Sequence, residues 1–171
     1  DSTGFWVLDG DNERVLRYSN ALELTHKIGG TDSGLFDDPQ DLALAQDGSL
    51  WIADYGLDAL LHFSPQGLFL GKIDNTTQSE AVLDGPTGVA LYTDDQDQGY
   101  VLCTDIYNDQ LLKFTTDGSY VAHLAKGTGT ALNELNDPWG LRIIDQTIFV
   151  CDSGNDRVTM LNLEGGYQRA Y

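Results

Sequence analysis

Basic residues are scarce. The 171-residue chain carries 9 Lys and Arg against 27 Asp and Glu, a formal net charge of -18 at pH 7. Nucleic-acid binding rests on neutralising phosphates with Lys and Arg, so a chain this acidic is repelled by DNA and RNA, and that class of function is excluded. Long apolar runs are missing too. No stretch approaches the roughly 18 residues that a membrane span needs, although a hydrophobic share of 41% is ordinary for a globular domain. Two cysteines, Cys103 and Cys151, are too few for a disulfide framework and lack the spacing of a zinc site. The chain opens on Asp1 without a signal-like apolar segment, which reads as a processed form or as a piece of something longer. Helical spacing of apolar residues is absent as well.

What is present is a repeat. An apolar run ending in Asp, a short polar turn and a second apolar run occur four times. The first copy is Phe5-Trp6-Val7-Leu8-Asp9 followed by Val15-Leu16-Arg17-Tyr18, and the second is Leu50-Trp51-Ile52-Ala53-Asp54 followed by Leu60-Leu61-His62-Phe63. The third ends in Asp105 and leads to Leu111-Leu112-Lys113-Phe114; the fourth ends in Asp152 and leads to Val158-Thr159-Met160-Leu161. The four Asp residues stand 45, 51 and 47 positions apart. Pro39, Pro86 and Pro138 precede further apolar stretches, and Gly67, Gly118 and Gly165 follow the second runs. Each period therefore holds four short strands separated by turn residues, a pattern that predicts an all-β propeller of four-stranded antiparallel blades. A lone four-stranded meander cannot cover both of its faces, so the blades must stack.

The turn residues resemble the NHL repeat family, in which a Pro is followed two residues later by Gly, and a later strand ends in Asp with Asn three and Arg five residues on. Asp9, Asn12, Arg14 and Asp152, Asn155, Arg157 match fully. Asp105 and Asn108 match with Gln110 in the Arg position, whereas Asp54 is followed by Leu57 and Ala59. Gly88 and Gly140 hold the glycine position, which Asp41 takes in the second unit. The turn has its own logic: the strand-end carboxylate can accept hydrogen bonds from turn amides, Asn tolerates the left-handed conformation that a tight turn needs, and Arg can pair with a carboxylate. Once-per-blade recurrence marks these residues as structural, since a catalytic site needs unlike residues converging at one place.

With blade strands labelled a to d from the inside out, a follows the Pro, b ends in Asp, c follows the turn and d follows the Gly. The chain is one continuous propeller segment over 1–171, with blade repeats at about 1–36, 37–84, 85–136 and 137–171. The first repeat begins in strand b, so the array is three full blades plus one lacking its innermost strand. NHL-like rings commonly close with six blades, and the resemblance implies that about two lie outside this chain. A segment of a longer polypeptide is the favoured account, ahead of a half-ring completed by another copy and a distorted four-bladed ring. An open array exposes blade faces and strand edges, which a partner must cover.

In a propeller the b–c turns and d–a connections share one face. Most of the acidic residues fall there, among them Asp11, Asp37, Asp38, Asp58, Glu80, Asp84, Asp109 and Asp137. Such a face suits Ca²⁺, the one cation the sequence suggests, or a basic partner, although turns are rich in Asp in any protein. No EF-hand spacing occurs, and Asp94, Asp95 and Asp97 read as a solvated hairpin end. Asp54, Tyr55, Asp105, Tyr107, Trp139 and Asp152 are the candidates for a binding face; the aromatics can stack on sugars or peptides, or pack between blades. Amidating lyases and gluconolactonase-like enzymes, propellers similar to this one, hold metals with His, Glu, Asn or Asp near the axis. Here His62 is predicted to face solvent in a strand c, and His26 and His123 lie in outer strands, so no His-ligated metal, cofactor or catalytic residue is assigned. No nucleophile turn of the G-x-S-x-G kind is present.

Cys103 and Cys151 lie on equivalent strands of consecutive blades and point to opposite faces, so both face their shared interface or both face away. The first arrangement allows a disulfide; the second leaves two free thiols, expected to be buried. Asn75-Thr76-Thr77 is an N-glycosylation sequon in a long inter-blade loop. Together these features predict an extracellular or cell-surface module, without enzymatic activity of its own, that binds a protein, glycan or cation and self-associates through blade edges. A segment of a propeller enzyme, a metal-dependent lyase or lactone hydrolase, and a structural subunit of a filament or other extracellular assembly are the alternatives.

Overall fold

The computed structural model describes residues 4–75 and 81–171, and its strands form four antiparallel sheets. The first holds β1 (Gly4–Asp9), β2 (Arg14–Ser19) and β3 (Leu24–Gly29). The second holds β4 (Pro39–Leu44), β5 (Leu50–Asp54), β6 (Ala59–Phe63) and β7 (Phe69–Ile73). The third is β8 (Pro86–Thr93), β9 (Gly99–Asp105), β10 (Gln110–Thr115) and β11 (Tyr120–Lys126). The fourth is β12 (Pro138–Ile144), β13 (Thr147–Asp152), β14 (Arg157–Asn162) and β15 (Tyr167–Ala170). Each is a simple meander in chain order. The inner strands β4, β8 and β12 pack on one another, and the sheets are the blades of a β-propeller.

The continuous apolar character of the middle strands follows from burial on both faces. In β5, Leu50 and Ile52 point into a cluster with Val15, Ile28, Phe36 and Phe63 between the first and second blades. Their neighbours Trp51 and Ala53 point the other way, into a cluster with Val89, Val101, Cys103 and Leu112. A third cluster, built on Leu102, Leu111, Ile148 and Val150, joins the third and fourth blades. With period-2 alternation, a strand between two interfaces must be apolar at every position, and all five residues of β5 are buried. The outer strand β7 faces a neighbour only at its end, and its first four residues are exposed or half-buried.

The c–d turns close through Gly67, Gly118 and Gly165, all in the left-handed region. At Gly165 (φ 83°) a Cβ would sit 2.5 Å from the Leu124 carbonyl oxygen of the preceding blade, so both conformation and packing select glycine there. The first blade has three strands, b to d. Among the described residues no strand lies on the inner edge of β1.

Alternation also settles the cysteines. Cys103 shares the second–third interface with Ala53 and Leu60 and is fully buried. Cys151 neighbours Val150, which points toward the third blade, so Cys151 points off the far side of the fourth blade and is exposed. Both thiols are free. The shared-interface pairing that allowed a disulfide is not the one adopted, and the expectation of two buried thiols is corrected for Cys151.

Candidate functional site

The face bearing the b–c turns is organised by one carboxylate per blade. Asp54, Asp105 and Asp152 are fully buried at their strand ends, and each receives amide hydrogen bonds from the connection leading into its own blade. Asp37 N and Asp38 N donate to Asp54 at 3.1 Å each, Asp84 N to Asp105 at 3.1 Å, and Asn136 N to Asp152 at 2.7 Å. The same carboxylates clamp the following turn. Arg157 Nε donates to Asp152 at 2.6 Å and Arg14 Nε to Asp9 at 2.7 Å, while Gln110 Nε2 donates to Asp105 at 2.8 Å. In the second blade, where Ala59 takes the Arg position, Leu57 N donates to Asp54 and among the described residues no side chain replaces the cation. Burial raises Asp54 and Asp105 above the usual carboxylate value, with the amide and side-chain donors pulling the other way. At Asp9 the hydrogen bonds from Asn12 and Arg14 prevail and lower it.

One sequence expectation about this turn is corrected. The left-handed residue is the one after the Asn: Glu13, Asp58, Asp109 and Asp156 have φ of 48°, 47°, 50° and 51°. Asn12, Asn108 and Asn155 spend their side chains instead on the strand-end carboxylate, with Nδ2 donating at 2.8 to 3.0 Å. The left-handed acids then tie blades together. Asp58 accepts from Gly85 N and Asp109 from Asp137 N, both at 2.8 Å, at the start of the next blade's inner strand. Asp41, in place of glycine, reaches across to accept from Val89 N at 3.0 Å and is held above its ordinary value by burial.

Of the six residues predicted for a binding face, Asp54, Asp105 and Asp152 are thus enclosed in the turns, and Tyr55, Tyr107 and Trp139 remain to meet solvent. Tyr107 is 63% exposed and Trp139 45%. Tyr55 and Tyr107 pack across the second and third blades with ring centroids 5.6 Å apart, and their hydroxyls are hydrogen-bonded to each other. That bond, with some burial and the nearby Asp38 and Asp84 charges, pushes Tyr55 up to about 12. Tyr55 therefore stays neutral at physiological pH, and the two rings, tilted by 48° to each other, form an aromatic surface flanked by carboxylates. Trp139 belongs to the start of β12, where its carbonyl accepts from Thr104 Oγ1 at 2.6 Å.

The remaining candidates separate. His62 is half-buried rather than facing solvent: its ring stacks on Trp51 at 4.3 Å and 12°, and burial lowers it below the usual imidazole value. His26 and His123 lie on β3 and β11, so the three imidazoles do not converge. Asp94 accepts from Gln96 N and Gln98 N and forms a hairpin end, with Asp95 and Asp97 beside it. Among the described residues no group of three or more His, Cys, Asp or Glu is arranged to hold a metal ion. Asn75 exchanges two hydrogen bonds with the Leu83 backbone, closing its loop, while Thr76 and Thr77 of the sequon and Glu80 of the acidic face lie outside the described residues. No helix among the described residues is long and apolar enough to cross a membrane.

Sequence reasoning missed the aromatic–base pairs between strands b and c. Arg17 lies over the Trp6 ring at 5.3 Å and Lys113 over Tyr100 at 4.1 Å, in the blades flanking the Trp51–His62 stack. Their signal was present in the repeat, an aromatic on strand b with a basic residue on strand c.

Comparison with solved structures fits this architecture. A streptogramin B lyase matches with a TM-score of 0.71 at 13% identity, covering 100% of this chain and 51% of that one. Virginiamycin B lyase from Staphylococcus aureus gives 0.71 at 14%, covering 98% and 51%. An auxiliary nutrient binding protein from Bacteroides thetaiotaomicron gives 0.70 at 13%, covering 93% and 45%. The chain spans about half the length of these structures. No family model matches the chain, and no curated protein does. At these identities the likeness establishes the fold, and the chain has the β-propeller fold.

Proposed function

We propose that this chain is a non-catalytic, NHL-like binding and scaffolding module that works in an extracellular or cell-surface setting and presents its b–c turn face to a protein, glycan or cation. The observation that carries the reading is the Tyr55–Tyr107 pair. Two aromatic rings are held side by side at the surface, Tyr107 the more exposed, with Asp38 and Asp84 near enough to raise Tyr55. Aromatic faces stack on sugar rings and on cationic side chains, and the surrounding carboxylates favour positive or hydrogen-bond-donating ligands over anions. The nutrient binding protein among the similar structures supports a binding role, and Ca²⁺ is the metal ion that such an oxygen-rich face would select.

Binding of a glycan panel and of an oligolysine peptide, followed by calorimetry, tests the proposal. Tyr107→Ala should weaken the ligand that binds by about tenfold or more, in line with about 1–3 kcal/mol for a stacking contact, and leave the melting temperature nearly unchanged. Equal affinity in wild type and variant, for every ligand that binds, would remove the face from the account. The similarity to two lyases favours a second reading, a segment of a propeller enzyme whose reacting groups are supplied by other blades. Lyase or lactone-hydrolase turnover by the polypeptide, lost with Trp139→Ala, would favour that reading over the first.

A further inference from the structure

The a–b and c–d turns lie at the strand ends opposite the b–c turns, and there the fourth blade departs from its neighbours. Its a–b hairpin has two residues, Asp145 and Gln146, between β12 and β13, whereas the second and third blades use five, 45–49 and 94–98. Both residues are left-handed, with φ of 47° and 63°. That pair of conformations makes a tight hairpin whose second position ordinarily carries glycine, and Gln146 holds it at a conformational cost. A cavity of about 380 Å³ lies between this short hairpin and the third blade, and Gln146 lines it.

Tyr92, Tyr100, Ile143 and Leu163, which pack on the core cluster between the third and fourth blades, give the cavity an apolar wall. The two tyrosines are cross-strand partners with rings stacked at 5.0 Å, and Lys113 Nζ stands 4.1 Å from the Tyr100 centroid and 5.2 Å from that of Tyr92. Asp94 is committed to its own hairpin, accepting from Gln96 N, Gln98 N and the Tyr100 hydroxyl at 2.8, 2.9 and 3.2 Å. The Tyr92 hydroxyl makes no hydrogen bond among the described residues, and burial with the Glu164 and Asp94 charges pushes it up to about 12, so it keeps its proton. The cavity thus offers Lys113, Gln146 and the Tyr92 hydroxyl as donors, and Asp95 and Glu164 as acceptors.

This mixture selects against charged ligands. An anion meets Asp94, Asp95 and Glu164, while the seat that a cation would take over the tyrosine rings is already filled by Lys113. What fits is a neutral molecule with hydroxyl donors and acceptors and one apolar face, in a space within the range of about 300–1,000 Å³ usual for small-ligand sites. We propose that the cavity binds one neutral pyranose unit of a glycan, its C–H face against the apolar wall and its hydroxyls shared among Lys113, Gln146, Tyr92 and Glu164. The site lies on the face opposite the Tyr55–Tyr107 pair and does not depend on it.

The probes are methyl β-glucoside, methyl β-galactoside and methyl α-mannoside, titrated into the 171-residue chain and read by saturation-transfer NMR and calorimetry. Saturable binding of at least one is expected, with transfer strongest at the ring C–H protons. Tyr92→Phe and Gln146→Gly should each weaken it by about threefold or more, as the loss of one hydrogen bond implies. Gln146→Gly also suits the left-handed turn and should not lower the melting temperature, so its effect on binding is separable from folding. The uronic acid of the sugar that binds should bind about tenfold more weakly at low salt, because it brings a further carboxylate to the cavity. Three results would overturn the proposal: no saturable binding of any of the three sugars, binding unaffected by both substitutions, or equal binding of the uronic acid. Tighter binding of glycine or butylamine than of every sugar would give the cavity to a zwitterion or an amine and reject the saccharide. Loss of binding with Tyr107→Ala and not with Gln146→Gly would place the sugar on the opposite face and reject this site, leaving the account of that face standing.

Discussion

At the scale of single residues, chemically identical carboxylates hold the same position by different means. Asp152 is enclosed with Arg157, Asn155, Thr159 and the Asn136 amide as donors, so Asp152→Ala removes the counter-charge of a half-buried guanidinium that keeps only the Thr130, Ala131 and Glu134 carbonyls, and should cost about 3 kcal/mol in a denaturant melt. Among the described residues Asp54 accepts hydrogen bonds only from amides, and burial, with the Asp37 charge beside it, holds its folded-state value above the ordinary 3.8. A group raised in this way contributes stability that is fully present below the unfolded value and is lost as pH rises through the folded value. The melting temperature of Asp54→Asn relative to wild type should therefore fall as the pH is lowered from neutral toward 4, and calorimetry across that range checks it. His62 has the opposite sign. Its folded value is depressed below 6.5, so it withdraws stability as pH falls through 6.5. His62→Phe keeps a ring against Trp51 and removes the buried, unpartnered Nε2, and it should raise the melting temperature more at acidic than at alkaline pH.

At the scale of the strand, the inner strands begin with a fixed device. After Pro39, Pro86 and Pro138 each register is interrupted before regular pairing resumes at Asp41, Gly88 and Leu141. The interruption places Gly88 where a Cβ would stand 2.6 Å from Thr104 Oγ1 of its own blade and 2.7 Å from the Trp139 carbonyl oxygen of the next. Gly88→Ala should therefore destabilise the third–fourth interface by about 1–3 kcal/mol, read as a shift in the denaturation midpoint with unchanged slope. Asp41 shows the other solution: its side chain bonds Val89 N across the junction. The Pro and Gly positions were readable because backbone geometry restricts which residues fit. Asp41 was readable only as a departure, since its hydrogen-bond partner lies 48 positions away. The Asn positions misled for a related reason. Asn12 and Asn155 suit a left-handed conformation locally, but the Asp carboxylate above them offers a hydrogen bond that the following residue cannot reach from the same turn.

At the scale of the whole molecule, the charge of -18 sets a self-repulsion that compact folding must overcome. Raising the ionic strength from 10 to 500 mM should raise the melting temperature, because a Debye length falling from about 30 Å to under 8 Å screens repulsion across the carboxylate face more than it weakens the buried Asp152–Arg157 pair. Fluorimetry over a salt series checks the sign. The same scale explains Cys151: its thiol faces away from the third blade, on the surface where a further blade would stack. The sequence by itself determined the blades, their strand order and the shortfall of one inner strand, because period-2 alternation and turn chemistry are local properties. Tertiary structure alone decided which turn residues stay exposed. It enclosed Asp54, Asp105 and Asp152 and left Tyr55 and Tyr107 in contact on the surface, because burial depends on how neighbouring blades stack.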